Sequence, residues 1–472
     1  MLNMNILKAL FLFTFLFLFT HLDAQLLDFT KQLDSIQVIV NPDQLRLPGE
    51  DFDIGVVAYF KNGKVKKTWN LESGMMPWFR FNVEVKGGRF MAGRVRVDEK
   101  LIPCAGKDVR IEVWPNKAKR LAKKLILPLN YDEKVEIVPV SDLVKAPGFG
   151  FNFKVVSTFN NGVKREYLYK NKDDLSKNFI LAVNGGELRK DQYYIESNIR
   201  LIRNHTVNLT AISKRNPDCS HSFDLLLDYK ANYNLTLRGT SGSDGSNGSD
   251  GSDGSSGSDG GSGSDGRDGD DGGNGPEISV WVDWYFDDLL NKNLLYVYAK
   301  NLSDEHEYRY LVNPDGGSFQ VTSKGGSGGN GGKGGDGGDG GKGSDGSTYT
   351  KEEKTSDSTS VIVTHQDPGG KGGNGGPGGR GGHGGDGGDG GNIHLYFTDD
   401  ALDFQKLIHS SSEGGYSGDA GRSGSGGSGG SGGNGNPAGS SGNSGFSGSA
   451  GFSGFSGKPG EILIDRTDDF VK

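Results

Sequence analysis

The side chains best suited to chemistry are few, and their spacing does not assemble a reaction centre. Asp304-Glu305-His306-Glu307 gathers three carboxylates and an imidazole, and reads as a charged turn rather than a metal site. The chain has no HExxH, no GxSxG and no spaced CxxC pair. Its two cysteines, Cys104 in LIPCAG and Cys219 in NPDCSH, lie away from any histidine pattern that suggests a metal or a nucleophile. An oxidising compartment would permit a disulfide between Cys104 and Cys219; two partly buried thiols are the alternative. The densest basic run is Lys117, Lys119, Arg120, Lys123 and Lys124. It suits a polyanion site or, more blandly, a solvated strand edge or loop. GxGxxG recurs through composition alone, and no aromatic–basic platform points to nucleic acid. The expectation is a non-enzyme with no cofactor, no metal ligands and no nucleic-acid partner.

The elements around these residues are more informative. The chain has 472 residues and 80 glycines, of which 13 precede residue 239 and 67 follow. Charge divides at the same place. Residues 25–238 carry 35 Lys+Arg against 25 Asp+Glu, and residues 239–472 carry 16 against 34. Ahead of both halves, Lys8 precedes an apolar run from Ala9 to Thr20, and Leu22-Asp23-Ala24 places a small residue before Gln25. This is the pattern of a cleaved signal peptide over residues 1–24, too short to span a membrane. With no second apolar stretch, the expected product is soluble and exported, with no membrane span. The Phe-rich leader and its Ala-Gln junction resemble those of exported Bacteroidota proteins. Asp34-Ser35-Ile36 and Asp357-Ser358-Thr359 are similar to the O-glycosylation signal of that phylum.

Residues 25–238 contain a repeat. PGEDFDIGVVAYFKNGKVKK starts at Pro48, and PGFGFNFKVVSTFNNGVKRE starts 99 residues later at Pro147. Phe52, Ile54, Val56, Ala58 and Phe60 alternate, as do Phe151, Phe153, Val155, Ser157 and Phe159, so each is a strand with one buried face. Each strand enters a turn, Lys61-Asn62-Gly63 or Asn160-Asn161-Gly162, whose Asn-Gly pair tolerates positive φ. Gly87-Gly88 corresponds to Gly185-Gly186. Val109, Ile111 and Val113 correspond to Val207, Leu209 and Ala211. The spacing predicts two all-β sandwiches, residues 25–132 and 133–238. Proline–glycine, an alternating strand and Asn-Gly resemble bacterial immunoglobulin-like domains. Trp69-Asn70 loosely fits their Trp-Ser element, and Leu168-Tyr169 replaces it in the second copy. The resemblance implies spacer or docking modules.

Residues 239–472 hold four glycine arrays. Gly239–Gly275 has glycine at every third position, Gly325–Gly346 is mostly Gly-Gly-X, and Gly369–Gly391 is Gly-Gly-X throughout. In Gly415–Gly460 only Asn436 breaks the phase. A flexible linker needs no phase. A collagen triple helix wants far more proline than Pro377, Pro437 and Pro459 supply. Calcium-binding nonapeptides need a hydrophobic residue per nine, which is absent. The remaining reading is a bundle of extended three-residue helices whose backbone groups bond to their neighbours. A Gly-Gly-X helix has two bare faces and suits the interior; a Gly-X-Y helix has one and suits the periphery. This resembles the polyglycine II bundles of phage tail-fibre adhesins and snow-flea antifreeze protein.

Array lengths predict topology. The first and fourth are about double the others, so each folds back, the fourth at Asn436-Pro437. Six helices of about 55–70 Å result. YNLTLR, EISVWVDWY, NLLYVYAKN, SFQVTS, NIHLYFT and EILIDRT read as strands of a small β base. The insert 347–368 then lies at the far tip, making Tyr349, Lys351, Glu352, Glu353 and Lys354 a candidate contact surface. Phe446, Phe452 and Phe455 are either exposed anchors or, the favoured expectation, packed on the base. The fold class is therefore all-β: two immunoglobulin-like sandwiches followed by a polyglycine II bundle on a β base. The expected function is a secreted or cell-surface structural or adhesive protein, or alternatively a non-catalytic envelope assembly subunit. Its partner would be a protein or glycan of a cell surface or envelope complex; the sequence leaves the oligomeric state open.

Overall fold

The computed structural model describes residues 29–468 apart from 69, 72–73, 102–106, 170–171, 190–191 and 355–359. The signal-peptide segment, Trp69, Cys104 and Asp357-Ser358-Thr359 fall outside the described residues. β-Strand dominates; among the described residues the α-helical ones are Lys172–Asn178 and a turn at 29–32, beside a few 3-10 turns. The chain divides into two compact units. One takes residues up to 143, then 150–194 and 207–225; the other takes 144–149, 195–206 and everything from 226 onward.

In the first unit the two copies repeat strand for strand. Asp51–Phe60 pairs with Leu33–Val40, Val65–Lys67 and Arg94–Val97, and Arg94–Val97 pairs with Gly88–Met91. A second sheet sets Asp108–Pro115 between Phe81–Lys86 and Lys123–Pro128. One apolar core lies against both, built from Phe52, Ile54, Val56, Val95, Val109, Ile111 and Val113. In the second copy Phe153–Phe159 pairs with Asp132–Pro139 and Lys164–Leu168, and Phe179–Asn184 pairs with Thr206–Ser213. Val207, Leu209 and Ala211 are buried at the positions equivalent to Val109, Ile111 and Val113. The turns also agree. Gly63 has φ 80° and Gly162 φ 82°, and each donates its N–H to the last residue of the preceding strand, Phe60 at 2.9 Å and Phe159 at 2.7 Å. Those glycines carry the left-handed bulge of a three-residue hairpin loop. Left-handed Gly49 and Gly148, and Gly87 and Gly185, complete the correspondence.

The second unit is built on two sheets. In one, Asn232–Arg238, Ser318–Lys324 and Ile408–Glu413 run parallel, with Ser318–Lys324 central. In the other, Ile278–Asp287, Ile393–Phe397 and Ile462–Arg466 run parallel, and Lys292–Asn301 and Glu307–Val312 extend it antiparallel. Val280, Val282, Val297, Phe319, Val321, Leu395 and Phe397 close a common core. The first sheet feeds three strands into glycine arrays, and the second receives the three returning strands. Parallel neighbours in each sheet fix the three outgoing arrays side by side, and likewise the three incoming ones.

One buried charge cluster stands out in the first unit. Asp132 is fully buried, and Arg215 meets it with two hydrogen bonds, Nε to Oδ2 at 2.8 Å and Nη2 to Oδ1 at 2.9 Å. The Ser157 and Ser213 hydroxyls also donate to it, and the guanidinium lies over the rings of Phe159, Tyr167 and Phe179. Burial pushes the Asp132 carboxyl up, but the hydrogen bonds from Arg215, Ser157 and Ser213 together hold it below the usual carboxylate range. A folded pKa below the unfolded value of about 3.9 means the stabilisation is complete above that value. It is lost as pH falls through the folded pKa. Asp132→Ala leaves a buried guanidinium uncompensated and is expected to cost about 3–5 kcal/mol in urea unfolding. Asp132→Leu combined with Arg215→Met is expected to recover most of that loss. The acid limb of stability below pH about 4 should flatten in Asp132→Ala.

Candidate functional site

Six extended glycine segments run between the two base sheets and their far ends. The first, residues 239–257, turns at Gly257 (φ 71°) into the second, 260–275. The third, 325–346, leads into a hairpin and back through the fourth, 369–391. The fifth, 414–435, bends at 434–437 into the sixth, 438–460, through a cis Asn436-Pro437 bond. Glycine lets these segments approach until backbone bonds to backbone. At one level, Gly248 N–H donates to Lys333 O at 2.7 Å and Gly334 N–H to Arg422 O at 2.9 Å. At the same level Gly335 N–H donates to Ser264 O at 2.9 Å and Gly379 N–H to Gly335 O at 2.8 Å. The third segment thus bonds to the first, second, fourth and fifth. The fourth likewise bonds to the second, third, fifth and sixth, as in Gly263 N–H to Pro377 O and Gly378 N–H to Phe446 O, both 2.9 Å. The pattern recurs every third residue.

This arrangement explains the composition of each array. The two inner segments are the Gly-Gly-X arrays, because both glycines of each triplet face another backbone. A Cβ on Gly335 would lie 2.0 Å from Ser249 O, and one on Gly334 2.2 Å from Gly379 O. On Gly379 it would lie 2.0 Å from Ser264 O, and on Gly378 2.3 Å from Gly424 O. Real Cβ atoms do not approach so closely. The first and sixth segments lie at the edges and keep one glycine per triplet.

The third N–H of each inner triplet points outward, and there the acidic residues act. Asn330 N–H donates to Asp244 Oδ1 at 2.7 Å, Asp336 N–H to Asp250 Oδ1 at 2.8 Å and Asp339 N–H to Asp253 Oδ1 at 2.8 Å. The relay continues outward: Ser425 N–H donates to Asp336 Oδ1 and Ser428 N–H to Asp339 Oδ1, both at 2.7 Å. On the opposite face Arg380, His383 and Asp386 donate to Asp265, Asp268 and Asp271, at 2.6, 2.6 and 2.7 Å. Phe452 and Phe455 in turn donate to His383 Nδ1 at 3.0 Å and Asp386 Oδ1 at 2.7 Å. Pro377 has no N–H, and the residue at the corresponding position of the second segment is Ser262 rather than an aspartate. The Ser425 N–H, helped by Lys333, holds the Asp336 carboxyl below its ordinary range; the Asn434 N–H and Lys342 do the same for Asp345. Many of the acidic residues behind the negative charge of this half are therefore backbone acceptors, a role that composition and triplet phase had not suggested. The signal was present in the Gly-Ser-Asp phase of the first array and the Ser262–Pro377 coincidence.

The expected site residues scatter. The insert forms an exposed hairpin, Thr348–Lys354 with Ser360–Gln366. Strand alternation puts Tyr349, Lys351 and Glu353 on one face and Glu352 and Lys354 on the other. Tyr349 stacks on His365, with ring centroids 5.6 Å apart, and Glu353 Oε1 lies 3.0 Å from His365 Nε2. The basic run is diluted. Lys119 lies over the Trp114 ring, and Lys124 reaches Glu112 at 3.8 Å in a cross-strand row with Glu84. Lys123 pairs opposite Val113, so it points away from Lys124; Lys117 and Arg120 are exposed. Cys219 is buried, and burial pushes its thiol pKa up. Asp34 is exposed and Ile36 buried in the first strand. His306 N–H bonds to Asp304 Oδ1 at 2.9 Å within a turn. Contrary to the favoured expectation, Phe446, Phe452 and Phe455 do not pack on the base. They are 86%, 75% and 79% exposed, because position two of each sixth-segment triplet faces outward.

One polar network has no counterpart in the sequence reading. Tyr229 Oη lies 2.6 Å from His205 Nδ1, and His205 Nε2 lies 2.8 Å from the buried Asp287 Oδ2. His205 and Tyr229 both hold left-handed backbones, φ 52° and 58°. Burial, then the Asp287 charge, raises the Tyr229 pKa. His205 and Tyr229 border a cavity of about 400 Å³ that Asp283, Tyr285 and Tyr296 also line. Its residues come from separate stretches, 199–205, 229, 283–296 and 311, with no single spacing to reveal them. Among the described residues no group of three or more His, Cys, Asp or Glu could hold a metal ion, and no helix is long and apolar enough to cross a membrane.

No family model matches the chain, and no curated protein matches it.

Gly335→Ala is expected to force segments apart at a cost of about 1–3 kcal/mol. That should speed amide exchange in the third segment and its neighbours by about 5–150-fold. Lys342→Ala, on the exposed corner of the same segment, should leave exchange unchanged. Because Asp336 and Asp345 titrate low when folded, exchange near Ser425 and Asn434 should be slow above pH about 3.9. After correction for intrinsic rates, it should quicken as pH falls through their folded values.

Proposed function

We propose that this is an exported, non-catalytic structural or adhesive protein of the cell surface. In this reading the leader directs export, and the tandem β repeats are immunoglobulin-like sandwiches that space or anchor the molecule. The six glycine segments form a polyglycine II rod that presents contact surfaces to a protein or glycan. The observation that carries the reading is the lattice itself. An inner segment bonded on four sides cannot bend independently of its neighbours, and such a lattice is stiff without a hydrophobic core. A 22-residue segment at about 3.1 Å per residue reaches about 70 Å. That length, with an exposed hairpin at its far end, suits projection more than chemistry.

The test is protease treatment of intact cells expressing the chain, followed by an attachment assay. The expected outcome is digestion of the rod from outside. Gly335→Asp should then abolish attachment while leaving export unchanged. Rod resistance in intact cells, with digestion once the envelope is opened, would favour an internal scaffold and overturn the surface assignment.

A further inference from the structure

We propose that the face built by the second, fourth and sixth segments binds an extended, proline-rich, basic polypeptide laid along the rod; this rests on the rod reading above. The face carries three parallel columns. Its outer column holds Phe446, Phe452 and Phe455, all largely exposed. Its central column holds Pro377, Arg380, His383 and Asp386, and its far column Asp265, Asp268 and Asp271. The hydrogen bonds set the levels: Phe452 is level with His383 and Asp268, and Phe455 with Asp386 and Asp271. The Phe452 ring lies flat on His383, 5.3 Å between centroids and 4° between planes, which holds it against the rod with its outer surface free.

Two features select the occupant. The first is period. The segments repeat every three residues, advancing about 9 Å, so Phe452 and Phe455 are about 9 Å apart along the axis and Phe446 stands two repeats from Phe452. A polyproline II chain has the same three-residue repeat and rise. Laid parallel to the rod, it offers one side chain per turn to each aromatic, without the drift that a helix or strand would accumulate. Exposed aromatic surface is the usual platform for such chains, which lose little entropy on binding. Small Ser449 sits between Phe446 and Phe452 and leaves room for a bulkier side chain. The second feature is charge. Each aspartate of the far column spends Oδ1 on the ladder, and all three residues are exposed. With Asp386 and Asp389 against Arg380 and Lys458, the face is acidic overall and favours Lys or Arg on the partner.

The probe is a synthetic peptide of repeated Pro-Pro-Lys triplets long enough to run from Phe446 to Phe455, titrated calorimetrically into the full chain. Glycine segments are checked by amide exchange in parallel. Saturable binding is expected, absent for Pro-Pro-Glu and for Gly-Ser-Lys repeats. Phe446→Ser, Phe452→Ser and Phe455→Ser together should weaken it by about tenfold or more. Asp268→Asn with Asp271→Asn keeps the ladder acceptors, since asparagine serves at Asn247 and Asn274. It should weaken binding and reduce its salt dependence. No binding to a chain whose segments exchange slowly overturns this proposal while sparing the rod, as does equal binding by the triple-serine variant. Binding of a linear polysaccharide in place of the peptide, lost in the same variant, also overturns it. Fast exchange throughout the segments overturns both the proposal and the rod reading.

Discussion

Every backbone N–H and C=O in the glycine segments needs a partner, and the unit that holds them is organised by that need. A three-residue extended helix makes no hydrogen bonds to itself. Ordering glycine is also the costliest backbone ordering there is. With no apolar interior to offset that cost, the segments persist only as neighbours of one another, and a single added Cβ at Gly335 would meet a carbonyl at 2.0 Å. The β base follows from this. Parallel strands at Asn232–Arg238, Ser318–Lys324 and Ile408–Glu413 set outgoing segments abreast, and the opposite sheet collects them in matching order.

The same constraint gives the acidic half a structural meaning. An acidic surface is ordinarily read as solubility or attraction for a cation. Here a side-chain acceptor, most often an aspartate oxygen, sits over many of the outward N–H groups and completes what glycine cannot. The edges are handled by the opposite device. The first and sixth segments present side chains at two of every three positions, which blunts the lattice edges much as edge strands are blunted in sheets.

Local patterns made much of this legible. Asn62-Gly63 and Asn161-Gly162 specify their hairpins unaided, the repeat between Pro48 and Pro147 is visible to the eye, and array lengths with the break at Asn436 give the number of passes. What stayed hidden depends on pairs distant in the chain. Asp132 and Arg215 are 83 residues apart, and His383 and Asp268 are 115 apart. The outward direction of Phe446, Phe452 and Phe455 depends on which corner of a triplet meets the fourth segment, which triplet phase alone does not fix. The basic run near Lys119 reads as one patch in sequence because alternation separating Lys123 from Lys124 matters only once a strand is drawn through them.

Pro377 beside Ser262 shows how such a lattice keeps its alignment. A ladder of identical rungs could slide by one triplet at little cost. One rung that lacks its donor, set against one that lacks its acceptor, makes the slipped arrangement worse at two places: an aspartate with nothing to receive and an N–H with nothing to give to. The mismatch works as a key cut into an otherwise uniform rack. It also ties the second and fourth passes together between that rung and the base. A triplet gained or lost there in one would set Pro377 against an aspartate, so over evolution the two should lengthen or shorten together on that side of the key.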